Sequence, residues 1–380
     1  MSAPRRVLHM IDSLDLGGAQ TFLLGLCKHL DSDKFESQVA CMHGRGIYAG
    51  AFKQAGTPVH SLSPGKFPPL YLPNFWRLMS SGRYDILHFH LFGSNLCAKP
   101  LAVLAGHPAI IVHDQCNDAS RERNPLLLAA DAFWNRYANR VIAVSESTRR
   151  YLLDREDLQD DTVILIPNGI DTNEFRIPSA GEREQARSTL GIASDAFVIG
   201  GVGRLVPQKN FDLFLEVAAR CLAARPELYF VIAGTGPLEA NLKAEADKLG
   251  LADKVRLLGH VEDRVGLYHA MDVLLMTSDF EGTPMVLLEA MASGLPVVAS
   301  AVDGIAEVCV HGHDALLVES ANPGAFFRAL SAIIKSPERM RTLASNARKT
   351  VTDGYEIRRI ACRVGDIYDA VLSKKAEFGA

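Results

Sequence analysis

The sequence predicts an α/β protein of two domains, each built on a parallel sheet covered by helices. Three observations carry this. The chain has 380 residues, more than one domain of ~150 normally holds. Short β-branched runs alternate with helix-length amphipathic segments from end to end. Several runs, such as Val163-Ile164-Leu165-Ile166 and Pro296-Val297-Val298-Ala299, are apolar on both faces and so need helices on both sides.

In order, strands are expected at 7–11, 38–42, 58–62, 85–90, 109–113, 140–144 and 163–166 in the first half. The second half offers 197–202, 228–233, 255–258, 273–276, 296–299 and 315–318. Between the two sets, Pro167-Asn168-Gly169 opens a polar stretch to about residue 194, punctuated by Pro178, Gly181 and Gly191. The boundary is placed there, giving domains 1–190 and 191–354 and a C-terminal helical segment 355–380. That segment carries Arg358, Arg359, Arg363, Lys374 and Lys375, which either solvate a helix face or meet anionic lipid.

Composition excludes some classes. Net charge is −4, which argues against a general nucleic-acid binder. The seven cysteines (27, 41, 97, 116, 221, 309 and 362) are scattered without a Cys-x-x-Cys, so neither a zinc cage nor a disulfide framework is supported. A reducing compartment follows. No apolar run reaches the ~18 residues of a spanning helix; the nearest, 100–112, contains His107 and Pro108. With no secretory signal at the start, the expectation is a soluble cytoplasmic protein.

The chemistry-bearing pattern in the second half begins with Glu281-Gly282-Thr283-Pro284-Met285-Val286-Leu287-Leu288-Glu289. Thr283 as N-cap and Pro284 as first helical residue would start a helix that Gly294 ends. Its first turn offers the amides of Met285 and Val286 to an anion. Glu289, among Leu288, Ala290 and Met291, needs donors if buried. Two ribose hydroxyls would serve; a partly exposed Glu on an amphipathic helix is the alternative. Upstream, Gly200-Gly201-Val202-Gly203-Arg204 through Lys209-Asn210 follows a strand without matching a P-loop or dinucleotide fingerprint. Arg204 and Lys209 suit a diphosphate, or else are a surface Arg and a helix-entry Lys.

In the first half, Gly17-Gly18 after the first strand allows a ligand to approach, or makes a plain turn. His88 and His90 share one strand face, and His113-Asp114 ends the next strand. A metal there would need a third ligand and an outer shell. A structural role suits His88, and a substrate contact suits His90 at the sheet's C-terminal edge. His311 and His313 form a loop pair. The aromatic and proline-rich run 66–76 either touches a membrane or lipid-bearing acceptor, or feeds a core helix capped by Asn74 and packed through Phe75, Leu78 and Met79.

Together these motifs resemble glycosyltransferase family 4, retaining enzymes of the GT-B fold that use nucleotide-sugar donors. The resemblance rests on Gly17-Gly18-Ala19, the 85–90 strand ending in His90, Val141 through Ser145-Glu146, Pro167-Asn168-Gly169-Ile170-Asp171, Gly203-Arg204 with Lys209, Ala233 through Pro237, and the Glu281/Glu289 pair. It implies two Rossmann-like domains facing across a cleft, with acceptor in the first, nucleotide sugar in the second, and the C-terminal helix packing back on the first. Arg204 and Lys209 would clamp the donor diphosphate, with Gly17 and Gly18 approaching it. Glu281 and the backbone of Gly282, Thr283, Pro284 and Met285 would hold the sugar. The amides of Met285, Val286 and Leu287 would serve the phosphates, and Glu289 the ribose. His90 would lie beside the transferred sugar, and the loop Gly259-His260-Val261 would approach the base. His90, Arg204, Lys209 and Glu281 are thus the catalytic candidates, with no metal and no cofactor beyond the donor.

The resemblance extends to bacterial exopolysaccharide and cell-surface glycan transferases. It implies a glycan or lipid-linked acceptor, no nucleic acid, and peripheral contact with the inner face of the cell membrane. The departures Glu281-Gly282-Thr283-Pro284, Ala301 through Glu307, and His311 through Ala315 leave the sugar open. Retention is expected by same-face attack, since the first-half motifs place no carboxylate nucleophile. A nucleotide-sugar 2-epimerase of the same fold and a non-catalytic sugar-nucleotide-binding subunit are the alternatives.

Overall fold

In the computed structural model, residues 3–44, 46–63, 71–107, 109–115, 124–319 and 321–378 are described. The two-sided apolar runs become strands because only a covered parallel ladder satisfies their backbone while burying both faces. The chain divides into two compact units, Met1–Gly169 with Ile357–Ala380, and Ile170–Glu356.

The first unit holds β1 (Arg5–Ile11), β2 (Phe35–Cys41), β3 (Val59–Ser61), β4 (Ile86–His90), β5 (Ile110–Asp114), β6 (Arg140–Ala143) and β7 (Val163–Leu165). They form one parallel sheet in the order β3-β2-β1-β4-β5-β6-β7. Its core gathers Leu8, Met10, Phe75, Phe89, Val112 and Val141. The second unit holds β8 (Phe197–Val202), β9 (Leu228–Ala233), β10 (Val255–Gly259), β11 (Val273–Met276), β12 (Val297–Ser300) and β13 (Leu316–Val318). Their order is β10-β9-β8-β11-β12-β13, again parallel. Ile199, Phe214, Phe230, Leu275 and Phe326 are among its core. Each sheet reverses strand order once, between β1 and β4 and between β8 and β11, and such switch points open crevices at strand C-termini.

The unit boundary differs from the sequence expectation. Residues 170–190 belong to the second unit, because helix Ala180–Thr189 is tied there by charge. Arg187 donates to Asp272 at 2.8 Å and to the Ala270 carbonyl at 3.1 Å, and Arg183 pairs with the same carboxylate. Helix Ile357–Phe378 belongs to the first unit: Tyr368 is 2.6 Å from His88 Nδ1, and Arg363 donates to the Leu165 carbonyl at 2.7 Å. Gly169 permits this return, since a Cβ there would crowd Ile360 at 2.9 Å and the Ile357 backbone at 3.0 Å.

Helix Tyr71–Gly82 buries Tyr71, Phe75 and Met79, the core reading of that segment. Asn74 lies inside it rather than at its cap, donating to the Leu62 carbonyl at 2.8 Å. Residues 66–70, Cys116 and the side chains of Lys374 and Lys375 lie outside the described residues. Among the described residues, no helix is long and apolar enough to cross a membrane.

Candidate functional site

In the second unit, the loops after β8 and β9 lie back to back, which only glycine permits. A Cβ on Gly234 (φ 141°) would overlap the Gly203 carbonyl, and one on Gly236 would fall 2.5 Å from the Leu205 carbonyl oxygen. Gly203 N–H donates to Ala233 O at 3.0 Å and Leu205 N–H to Thr235 O at 2.9 Å. Arg204 stands exposed on this turn, and no carboxylate pairs with it among the described residues. A short turn, Pro207–Lys209, then leads to Asn210, whose left-handed backbone and side chain cap helix Phe211–Ala224.

This loop is stitched to the one after β11. Thr277 Oγ1 donates to the carbonyls of Lys209 (3.2 Å) and Asn210 (2.9 Å), and Gln208 Nε2 donates to Phe280 O at 2.9 Å. Asn210 Nδ2 donates to Asp279 at 2.8 Å. The consequence is that Lys209 Nζ meets the Glu281 carboxylate, 15% and 6% exposed respectively, while Ser278 donates to the same oxygen at 2.7 Å.

Helix Met285–Ala292 starts one residue later than the sequence suggests, with Pro284 in the capping position and no side-chain cap bond. Proline's fixed φ and missing N–H favour it at this boundary. The Met285 and Val286 amides precede the first helical bond, but the Leu287 N–H is spent on Pro284 O at 3.1 Å. Leu287 is therefore removed from the anticipated phosphate donors. The preceding turn is braced by the next loop: Gly304 N–H donates to Glu281 O at 3.2 Å, and Glu281 N–H donates to Asp303 Oδ2 at 3.3 Å. Burial, the larger effect, raises the Asp303 pKa, with Glu307 and Glu281 adding to it against that amide bond.

Glu289 is buried, which sets aside the half-exposed alternative. Its carboxylate accepts from Tyr268 Oη at 2.6 Å and pairs with Arg264, whose guanidinium lies 5.6 Å from the Phe175 ring. Both donors come from helix Arg264–Ala270, capped by Asp263 through the Gly266 amide at 2.8 Å. Val261, half-buried, precedes it, and the Gly259 carbonyl accepts from Gly234 N–H at 2.8 Å.

In the first unit Gly17 is extended (φ 176°) and Gly18 opens helix Gly18–His29. A Cβ at Gly17 would collide with the Gln20 amide, which itself donates to Ser13 O at 3.0 Å. The Gln20 amide thus fills the space a side chain at Gly17 would take. His90 is wholly buried. Ladder register sets His9 beside His88 and His90 beside His113, so the rings gather on one face. His9 Nδ1 lies 3.1 Å from His90 Nε2, and the His88 and His90 ring centroids are 4.1 Å apart. Burial lowers all four pKa values, His9 and His113 to about 3, so the rings are neutral.

His9 is the third ring a metal would need, and one nitrogen from each of His9, His88 and His90 lies within 4.8 Å of the others. Ser37 and Tyr368 hydroxyls hold the outer nitrogens of His9 and His88 at 3.3 and 2.6 Å. Among the described residues no carboxylate joins this group of three imidazoles. His311 and His313 are loop fasteners: His311 Nδ1 accepts from Leu317 N–H at 3.1 Å, and Asn346 donates to His313 O at 2.8 Å.

Residues 16–174 match the family model described as Glycosyltransferase Family 4, and residues 182–350 match Glycosyl transferases group 1. A D-inositol 3-phosphate glycosyltransferase of Salinispora arenicola is 30% identical, covering 91% of this chain and 88% of its own length. This chain belongs to glycosyltransferase family 4. The UDP-Gal:alpha-D-GlcNAc-diphosphoundecaprenol alpha-1,3-galactosyltransferase of Escherichia coli is 27% identical over 80% of each chain. The structure of Anabaena HepE in complex with UDP-glucose superposes with a TM-score of 0.85 at 22% identity, covering 96% of this chain and 99% of that one, so the fold is GT-B.

For a family 4 transferase, the second unit assembles most of the anticipated residues. Lys209 and Glu281 touch; Arg204 shares the Lys209 loop; Gly282, Thr283, Pro284, Met285 and Val286 continue from Glu281 to the helix that carries Glu289. Gly17, Gly18 and His90 lie in the first unit. Ser278, Tyr268, Arg264, Asp303 and His9 were missed. Arg264 and Tyr268, at i and i+4, face one way on a helix and were the one legible signal.

Proposed function

We propose that this transferase moves a hexose-type sugar from a nucleoside-diphosphate sugar to a glycan or lipid-linked acceptor, with retention and without a metal or cofactor. The observation that carries the reading is the assembly around Glu281. Half-buried Lys209 pairs with the buried Glu281 carboxylate, the Met285 and Val286 amides that follow Glu281 along the chain have no backbone acceptor among the described residues, and the Lys209 loop also exposes Arg204. Arg204, which pairs with no carboxylate among the described residues, and the helix N-terminus take the diphosphate; each charge-assisted contact of this kind is worth about 1.5–3 kcal/mol. Lys209 has three donors, so it can hold Glu281 and a phosphate oxygen together. Glu281 and the backbone from Gly282 to Met285 orient the sugar. A carboxylate has about four acceptor positions, so Glu289 can take ribose hydroxyls while keeping Tyr268 and Arg264. Val261 borders the base.

Catalysis is then charge stabilisation and positioning: the departing diphosphate takes the proton of the acceptor hydroxyl as the new bond forms on the same face. The UDP-glucose bound by HepE and the UDP-Gal in the Escherichia coli relative's name support UDP as the base to test first. That relative's diphosphoundecaprenol acceptor supports a lipid-linked acceptor.

The product's anomeric configuration, read by NMR, tests the reaction. Retention is the expected outcome; an inverted product would overturn the same-face mechanism, and an altered sugar nucleotide without glycoside would indicate the epimerase. Arg204→Ala should lower turnover by about 2.7–4 kcal/mol of barrier, the cost of removing a preorganised donor. A chelator should leave turnover unchanged.

A further inference from the structure

Helix Pro125–Asn135 in the first unit is amphipathic with its faces exchanged. Its buried residues are Asp131 and Asn135, whereas Leu126 and Phe133 are 82% and 48% exposed. At 100° per residue, Leu126, Ala130, Phe133 and the following Tyr137 form one stripe, opposite Asp131 and Asn135. The inward face is held by polar bonds. Buried Lys99 donates to Asp131 at 3.1 Å and to Asn135, and Asn135 Nδ2 donates to Glu156 at 2.5 Å. Those bonds set the helix rotation, so turning the apolar stripe inward would break the buried Lys99–Asp131, Lys99–Asn135 and Asn135–Glu156 contacts.

What the stripe presents has the chemistry of a membrane interface. Phe133 meets Trp134 and Tyr137 edge to face with centroids 5.0 and 5.5 Å apart, and Trp134 and Tyr137 lie tilted 6.0 Å apart, a ready aromatic cluster. Leu104, 75% exposed, ends the adjoining helix Lys99–Leu104. Within 124–140 the charged residues are Asp131, Arg136 and Arg140, and Asp131 is buried against Lys99. Arg136 and Arg140 are the basic groups of this face, and the exposed Asp157 is their acidic neighbour. Arg136 shares an exposed ion pair with Asp157 at 3.2 Å, a contact weak enough to exchange for a lipid phosphate.

We propose that this face docks the first unit on an anionic lipid bilayer, with Leu126 and Phe133 entering the acyl boundary and Arg136 and Arg140 meeting headgroups. It deepens the lipid-linked-acceptor reading, and it differs from the sequence candidates, the 66–76 run and the basic C-terminal helix.

Flotation of the full chain with vesicles of phosphatidylglycerol and phosphatidylcholine tests it. The wild type should float with them and lose binding in phosphatidylcholine alone. Leu126→Ser/Phe133→Ser should bind roughly tenfold more weakly, since even two exposed apolar groups carry more than the 1.4 kcal/mol this needs. Its slow donor hydrolysis should match the wild type. In Trp76→Phe, which leaves Trp134 as the reporter, brominated lipid should quench fluorescence. Wild type that stays in solution, a double variant that floats equally, or an unquenched Trp134 overturns the proposal. So does sedimentation showing a wild-type dimer and a variant monomer, which would make the face a self-contact. Vesicle binding alongside transfer only to soluble acceptors would leave the docking face standing and refute the acceptor reading.

Discussion

Glu281 and Glu289 are both buried carboxylates, and each depends on donors from a different loop. Tyr268→Phe removes one donor from Glu289 and should lower stability by about 1–3 kcal/mol in urea melts. An unchanged midpoint would mean the hydroxyl is not needed there. Lys209→Ala strands the Glu281 charge, so it should cost more stability than Lys209→Ala/Glu281→Ala, in which the stranded charge is gone. Additive losses would contradict a coupled pair. At this scale the sequence revealed the acceptors and hid their donors. Glu289 was conspicuous because Leu288, Ala290 and Met291 surround it, whereas Tyr268 and Arg264 reach it only through the fold. His9 was invisible for the same reason, a lone polar residue in a strand until the ladder set it beside His88.

Loops that touch through glycine decide the element scale. A Cβ on Gly304 would overlap the Gly282 carbonyl oxygen, so Gly304→Ala must push the 281–284 turn away from its brace. Donor affinity measured by calorimetry should fall, with the melting temperature lowered as well; full affinity would show that the turn's position is immaterial. Strands were legible because runs such as Val297-Val298-Ala299 are apolar on both faces. Their ends were less so: β2 begins at Phe35, not 38, since parallel pairing with Arg5, Arg6 and Val7 recruits the polar Glu36 and Ser37. Periodicity would also turn helix Pro125–Asn135 the wrong way round, because an ion-pair network rather than apolar burial sets its inward face.

For the whole molecule, pairing of distant charges overrode local composition. The 170–190 stretch looks like a linker, yet Arg183 and Arg187 anchor it to Asp272. The histidine cluster gives the whole fold an acid weakness. His9 and His113 titrate at about 3 in the fold against 6.5 when exposed, so the unfolded chain binds more protons between those values. Stability is full above pH 6.5 and declines as pH falls towards 3, each ring contributing up to about 1.4 kcal/mol per pH unit. Thermal midpoints between neutral pH and pH 4.5 should show that decline, and a flat profile would contradict it. The central claim, that the second unit's Lys209–Glu281 assembly holds a nucleotide sugar, is tested most directly by nucleotide release from UDP-, GDP- and ADP-sugars. Release from one donor, lost in Glu281→Ala, is the predicted result. Release that survives in Glu281→Ala, or no release and no calorimetric binding of any donor, would contradict it.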